Sequence, residues 1–453
     1  MDIGAEGKSI ARIDGQVVFL TRALPGDVID IKIIRKKKSY MEGIPLRFHE
    51  YSRNRVQPFC KHFDLCGGCK WQDLPYRDQL KYKQKQVKDN LERIGKVDVP
   101  AIHDILPAPY TQYYRNKMEY TFSNFRWLTK QEIEASDAHL EYRGAGLHIP
   151  GRWDKIVDIE HCYLQKEPSN KIRLAVKDFA IRNAYDFFDL KTNQGFLRNL
   201  IIRTSSTNEL MVIVVFGREE SEQINKVMNY LKASFPEITA LYYFVNTKAN
   251  DSILDLQPVL FHGKKFIHEK MEGLQFKIGP KSFYQTNSSQ AYALYQIVRQ
   301  YASLQPDDIV YDLYTGTGTI SIFLAPHCKQ VAGIDSVSEA IEDARQNAAL
   351  NQLNNTYFYS GDMKNVLTDD LFDEQGYPQI LITDPPRAGM HEQVVEQILK
   401  AGPRSIVYVS CNPATQARDI QLLSEKYRLA EVQPVDMFPH TYHVENVVRL
   451  DKI

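Results

Sequence analysis

The chain has 453 residues, 43% of them apolar, with 56 Lys and Arg matched by 56 Asp and Glu. That length sets a prior of roughly three domains, and that apolar share excludes an intrinsically disordered chain. No apolar run approaches the ~18 residues that a bilayer span needs. The N-terminal MDIGAEGKSIARIDG has no apolar signal region, so a cytoplasmic protein without a membrane partner is expected.

The zero net charge hides an asymmetry. Residues 1–96 hold 20 Lys and Arg against 12 Asp and Glu, a net of +8 that the remainder balances. A basic first third suits a polyanion partner, although a solvated charged face would look the same in composition. Residues 8–45 alternate Val, Ile and Phe with polar residues, and Asp14-Gly15 and Pro25-Gly26-Asp27 mark turns. This predicts a small β-barrel of the OB type. Its Arg35-Lys36-Lys37-Lys38 run is either a solubilising strand edge or a track for phosphates.

Three cysteines follow in a cluster, Cys60, Cys66 and Cys69, around Gly67-Gly68. In a cytosolic chain such usage argues for metal or catalysis over disulfides. The stretch 75–95 predicts a helix with Leu80, Val87, Leu91 and Ile94 on one face and Gly95 at its end. Residues 106–275 mix strands with helices near 167–184 and 220–234, an α+β domain. Within it, Arg115 and Lys117 of YRNK are either phosphate contacts or a surface strand pair.

From about 288 strands alternate with helices, which implies a parallel, doubly wound sheet. The last two strands, AEVQPVDMF and ENVVRL, have no helix between them and predict an antiparallel hairpin at the edge. Gly316 and Gly318 occupy the first strand-to-helix turn, where glycine lets a ligand approach the backbone. The third glycine of the dinucleotide fingerprint is missing. Asp335 ends the next strand, placed to accept ribose hydroxyls, and Asp362 follows the third, placed to reach an adenine amino group. That order fits S-adenosylmethionine better than a dinucleotide.

Asp384 of ILITDPPRAGM and Cys411 of SIVYVSCNP end the fourth and fifth strands, on the sheet edge where open α/β proteins bind ligands. Pro413 stops the strand after Cys411, so the thiol faces the crevice and is the expected nucleophile. Methyl donor and thiol together suit carbon-5 of uracil, which becomes nucleophilic only after a thiolate adds to carbon-6. A base must then remove the carbon-5 proton, and Glu445 of HVENVVRL is the candidate.

These residues resemble the RNA uracil-5-methyltransferase family, especially its iron–sulfur-containing 23S rRNA members. The resemblance runs nearly end to end through KSIARIDGQVVFLTRALPGD, the cysteine pattern, YRNKMEYTF, SFYQTN, DLYTGTGT, DPPRAG, VSCNP and HVE. It implies a multi-domain protein: an OB-like TRAM barrel at 1–54, a central α+β domain with an iron–sulfur cluster at 55–275, and a C-terminal α/β Rossmann-like methyltransferase domain at 276–453. By the same resemblance Cys411 is the nucleophile and Glu445 the base. Gln285, Tyr314, Gly316, Asp335 and Asp384 line the cofactor and uracil pocket, with Asp362 a further cofactor contact. Cys162 joins Cys60, Cys66 and Cys69 as the fourth thiolate. Four thiolates hold a 4Fe–4S cluster or tetrahedral zinc, and the resemblance favours the cluster. The implied activity is S-adenosylmethionine-dependent methylation of a 23S rRNA uridine by a monomer. A tRNA T-loop uridine is the alternative substrate, and a non-catalytic RNA-binding or redox-sensing protein the alternative class.

Overall fold

The computed structural model describes residues 2–135 and 140–453. Contacts divide them into two compact units, neither a single stretch: residues 1–59, 70–111 and 289–453 form the first, and 60–69 with 112–288 the second. The sequence-based division ran instead in three consecutive segments. No helix of the described residues is long and apolar enough to cross a membrane.

The first unit opens with the expected barrel-like sheet, strands Asp2–Ile3, Ser9–Ile13, Gln16–Leu20, Val28–Lys36 and Tyr40–Glu50. The last two are antiparallel, and Gln16–Leu20 pairs parallel with Tyr40–Glu50. Val18, Leu20, Ala23 and Met41 fill its small core. Lys36, Lys37 and Lys38 are all exposed. Gly7, at φ +69°, must be glycine, because a Cβ there would stand 2.9 Å from Tyr442 and 3.1 Å from Trp71. Trp71 and Leu74 bury against Ile3 and Leu24 and so seat the barrel.

The predicted helix exists as Tyr76–Asn90, continued by a π turn over Leu91–Gly95. Gly95 does not supply the left-handed terminus; Lys96 does, at φ +50°. Gly95 is small for another reason: its Cβ would lie 3.3 Å from the carbonyl of Ala417. The helix is anchored by a fully buried ion pair, Lys83 Nζ to Asp436 Oδ1 at 2.6 Å. Tyr76 also donates to Asp436, at 2.7 Å.

Seven strands make the second sheet of this unit: β1 Ile309–Leu313, β2 Gln330–Asp335, β3 Thr356–Ser360, β4 Ile380–Thr383, β5 Ser405–Ser410, β6 Tyr427–Val435 and β7 Glu445–Lys452. Their order is 3-2-1-4-5-7-6. Strands 1 to 5 are parallel, and β7 enters antiparallel between β5 and the edge strand β6. The strands are near-continuous runs of Val, Ile and Leu because helices cover both faces. The expected doubly wound sheet and its terminal hairpin are both present.

The second unit is the expected α+β body. Its seven-stranded sheet runs from Val259–Gly263 through Ala240–Val245, Leu210–Phe216, Leu197–Thr204, Lys117–Ser123 and Gly144–Ile149 to the edge strand Arg152–Asp158. Only the pair Leu210–Phe216 and Ala240–Val245 is parallel. Helices Ser169–Arg182 and Ser221–Ser234 match the predicted positions.

Candidate active site and cysteine cluster

The reacting residues meet because of strand register. Ser410 on β5 pairs with Asn446 on β7 in an antiparallel ladder. The next position places Cys411, just beyond β5, opposite Glu445 at the head of β7, although 34 residues separate them in sequence. Asp384 follows β4, the other neighbour of β5. The nucleophile, the base and the DPPR loop therefore share one end of the sheet.

Their charges are coupled. Glu445 is buried, and burial followed by the Asp384 charge holds its carboxyl well above the usual range, with Arg387 opposing. Asp384 is pushed up to about 7, first by burial and then by Asp312. The half-buried Cys411 thiol is pushed up to about 11 by burial, then by Glu445 and Asp384. Among these neighbours Arg387 works toward the thiolate. The site without substrate thus keeps its thiol protonated. Asn412 ties this loop to the DPPR loop: its Nδ2 donates to the Arg387 carbonyl at 2.9 Å while its Oδ1 caps helix Pro413–Leu423.

The glycine turn follows β1. Asp312, wholly buried, accepts from Thr315 Oγ1 at 2.7 Å and Ser321 Oγ at 2.6 Å, and is pushed up to about 6 by burial. Its Oδ1 is buried with no hydrogen-bond partner among the described residues. Gly318, at φ +76°, packs where a Cβ would meet Ala344 at 2.9 Å. Gly316, at φ +56°, is different: a Cβ there would meet nothing within 4 Å, so the space above it is open. The Gly316 N–H donates to Asp335 Oδ2 at 2.9 Å and the Val337 N–H to Oδ1 at 2.9 Å. Asp335 therefore holds the turn, with lone pairs left for a ligand. Asp362, exposed, caps the short helix Met363–Val366. Tyr314, at φ +64°, has its hydroxyl pushed up to about 12 by burial, then by the charges of Asp419, Asp362 and Asp335. An open Gly316 held by the strand-end carboxylate Asp335, with Asp362 one strand further out, fits an adenosyl cofactor.

Gln285 belongs to the second unit. Its carbonyl accepts from Asn116 Nδ2 at 2.8 Å, and the same nitrogen reaches Ser288 Oγ at 2.8 Å, so YRNK holds SFYQTN. Arg115 and Lys117 are half-buried; Lys117 Nζ lies 3.9 Å from Glu119, with its pKa lowered by burial and by Arg203.

All four cluster cysteines also lie in the second unit. Burial pushes Cys66 up to about 12; the Gly68 N–H, 3.4 Å away, opposes this, and the Cys69, Cys162 and Cys60 charges add to it. The four thiols are thus neighbours. Among the described residues, however, no three His, Cys, Asp or Glu side chains converge closely enough to hold a metal ion. A Cβ at Gly68 would stand 3.2 Å from Leu147 Cδ1 and 3.5 Å from Cys66 Sγ, so the backbone passes close to the thiol. Arg173, fully buried, gathers the carbonyls of Ile159, Ala145 and Glu160, while Asn170 holds both Cys162 N and Cys162 O.

Arg387, Asp312 and Asn116 were not singled out from the sequence. Arg387 was open to discovery, standing directly after the Pro-Pro of a quoted motif. The other two act through long-range partners that spacing does not reveal.

The sheet order, the open glycine turn and the strand-end carboxylates define a nucleotide-cofactor methyltransferase fold. A family model described as tRNA (Uracil-5-)-methyltransferase matches residues 202–453, and a TRAM domain model matches residues 2–46. An uncharacterized RNA methyltransferase of Bacteroides thetaiotaomicron is 55% identical over 99% of this chain and 100% of its own length. One from Chlorobaculum tepidum is 40% identical over 97% of this chain and 92% of its own. Among solved structures, the Pyrococcus abyssi tRNA (uracil-54, C5)-methyltransferase bound to S-adenosyl-L-homocysteine matches with a TM-score of 0.76 and 29% identity, covering 99% of this chain and 98% of that one. The chain belongs to the RNA (uracil-5-)-methyltransferase family and is an enzyme of that class.

Proposed function

We propose that the protein methylates carbon-5 of a uridine in 23S rRNA through a covalent Cys411–uracil adduct. The observation that carries this reading is the β5–β7 register that sets Cys411 against Glu445 beside Asp384. When bound, S-adenosylmethionine supplies an electrophilic methyl group, and Gly316, Asp335, Asp362, Tyr314 and Gln285 are the residues that would hold it. Once its proton has passed to solvent, the Cys411 thiolate adds to carbon-6, and the electron pair of the 5,6 double bond moves onto carbon-5 and the carbonyl at position 4. Carbon-5, now nucleophilic, would take the methyl group as the donor's methyl–sulfur bond breaks and its electron pair stays on the departing sulfur. The ionised Glu445 carboxylate then takes the carbon-5 proton, the double bond re-forms, and the thiolate leaves with its electrons. A raised proton affinity suits Glu445 to a weak carbon acid. Near neutrality Asp384 is partly protonated, and a neutral carboxyl offers one donor and one acceptor side by side, complementary to the N3–H and O4 edge of uracil.

In this reading the segments divide the work: RNA capture by 1–54, cluster and RNA docking by 55–275, and methyl transfer by 276–453. Cys60, Cys66, Cys69 and Cys162 would hold a 4Fe–4S cluster. Its role is structural or RNA-contacting and not that of an electron carrier, because the reaction is redox-neutral. Arg115 and Lys117 are assigned to RNA phosphates on their charge.

A second substrate, a uridine of the tRNA T-loop, is favoured by the likeness to the Pyrococcus abyssi enzyme. Mapping 5-methyluridine in rRNA and tRNA from cells with and without the protein decides between them. Loss from 23S rRNA alone supports the first reading, loss from tRNA the second, and loss from neither defeats both.

A further inference from the structure

The second unit contains a cavity of about 690 Å³, within the range of small-molecule sites, lined by His148, Arg152, Trp153, Lys191, Asn193 and Asn250 among others. Four observations make it a built site. Trp153, the second residue of strand Arg152–Asp158, leaves 68% of its surface in water. An exposed tryptophan ring offers a broad face on which a base can stack. Arg152 forms no salt bridge among the described residues. His148 Nε2 lies 3.3 Å from Thr121 Oγ1, but its Nδ1 is buried with no hydrogen-bond partner among them. The far wall is rigid: buried Arg198 gathers the carbonyls of Asn246, Lys248 and Asn250 at 2.6–2.8 Å and stacks over Phe188 at 4.2 Å.

We propose that this cavity binds one unstacked nucleotide of the RNA substrate. Its base lies on the Trp153 ring, its phosphate meets Arg152 and Lys191, and the polar edge of the base reaches Asn193 or Asn250. The combination of an exposed aromatic face, a cation without a salt bridge and amide groups is the chemistry by which proteins hold single-stranded RNA. None of the residues lining the cavity is Cys411, Glu445 or Asp384, so its nucleotide is a different one from the uridine that meets the thiol. Lys191 is shared with Asp154 at 3.4 Å, and a phosphate would compete for it. The inference rests on RNA being the substrate and adds a place where a non-target nucleotide is recognised.

The test is binding of single-stranded oligouridylate and oligoadenylate to the full chain, followed by fluorescence anisotropy across a salt series, with S-adenosylmethionine affinity measured in parallel. Trp153→Ala should weaken RNA binding about tenfold, and Trp153→Phe, which keeps a stacking face, should restore it to within about twofold. Arg152→Gln should lower the salt slope by about one. S-adenosylmethionine affinity should be the same in all three variants. Equal affinity of wild type and Trp153→Ala at every salt concentration would overturn the proposal, as would a Trp153→Phe variant as weak as Trp153→Ala. The outcomes separate the two readings. Wild-type RNA binding that depends on Trp153 without methylation of any uridine defeats the proposed reaction alone. Uridine methylation with Trp153→Ala unchanged in binding defeats the pocket alone.

Discussion

Cys411 in one unit and Cys66 in the other carry thiols pushed up by burial to about 11 and about 12, yet their neighbours differ in kind. Around Cys411 stand two carboxyl groups and one guanidinium, all able to exchange or steer protons. Around Cys66 stand three further thiols and a backbone N–H, none able to act as a base at neutral pH. The raised thiol says only that each is buried. In the proposed reading, acids and a base make Cys411 a reaction centre, and the other thiols make Cys66 part of a cradle for an inorganic core.

The contrast breaks first at the nucleophile. Cys411→Ala should lower methyl transfer to RNA by at least about 10⁴-fold, measured with radiolabelled donor, with cofactor affinity unchanged within about twofold. Glu445→Gln should stop the reaction one step later. It should accumulate a methylated RNA–protein adduct stable on a denaturing gel, and normal turnover by this variant would remove Glu445 as the base. On the other side, Cys66→Ser should abolish bound iron and sulfide in protein purified without oxygen. Wild-type protein holding only zinc under those conditions refutes the cluster. Arg387→Gln should slow single-turnover methylation about tenfold near neutrality by removing a group that favours the thiolate, and should move the alkaline rise in rate to higher pH. The smallest effect concerns stability. Asp384 has its carboxyl raised from 3.8 to about 7 in the folded chain, so its contribution is full below about 4 and is lost as pH rises to about 7. The melting temperature of Asp384→Asn relative to wild type should therefore climb over that window and level off above it.

The local parts of this molecule could be read before the structure was seen. Alternation of Val and Ile with polar residues gave the barrel strands, and apolar runs separated by helices gave the parallel sheet. The glycine turn was placed because glycine lets a ligand approach the backbone closely, and the structure adds that Gly316 and Gly318 both take positive φ. What could not be read was any partnership across long sequence separation. Lys83 with Asp436, Asn116 with Gln285 and Asp312 with Asp384 are joined by the fold alone. The same limit explains why the cysteine stretch 60–69 packs with residues 112–288 rather than with its chain neighbours. Gly95 ends the helical run as expected, but the close approach of the Ala417 carbonyl to it is again set by the fold.

The placement of β7 between β5 and β6 has a consequence for the order in which the enzyme becomes dangerous to its substrate. A chain still being made presents the thiol of Cys411 before the strand that bears Glu445 exists. The outermost strand, β6, bonds the 103–106 segment through Val432 and Pro434 but gains its sheet neighbour only when β7 slots in beside β5. In the proposed reading, the folding event that closes the sheet is therefore also the one that delivers the group that releases RNA.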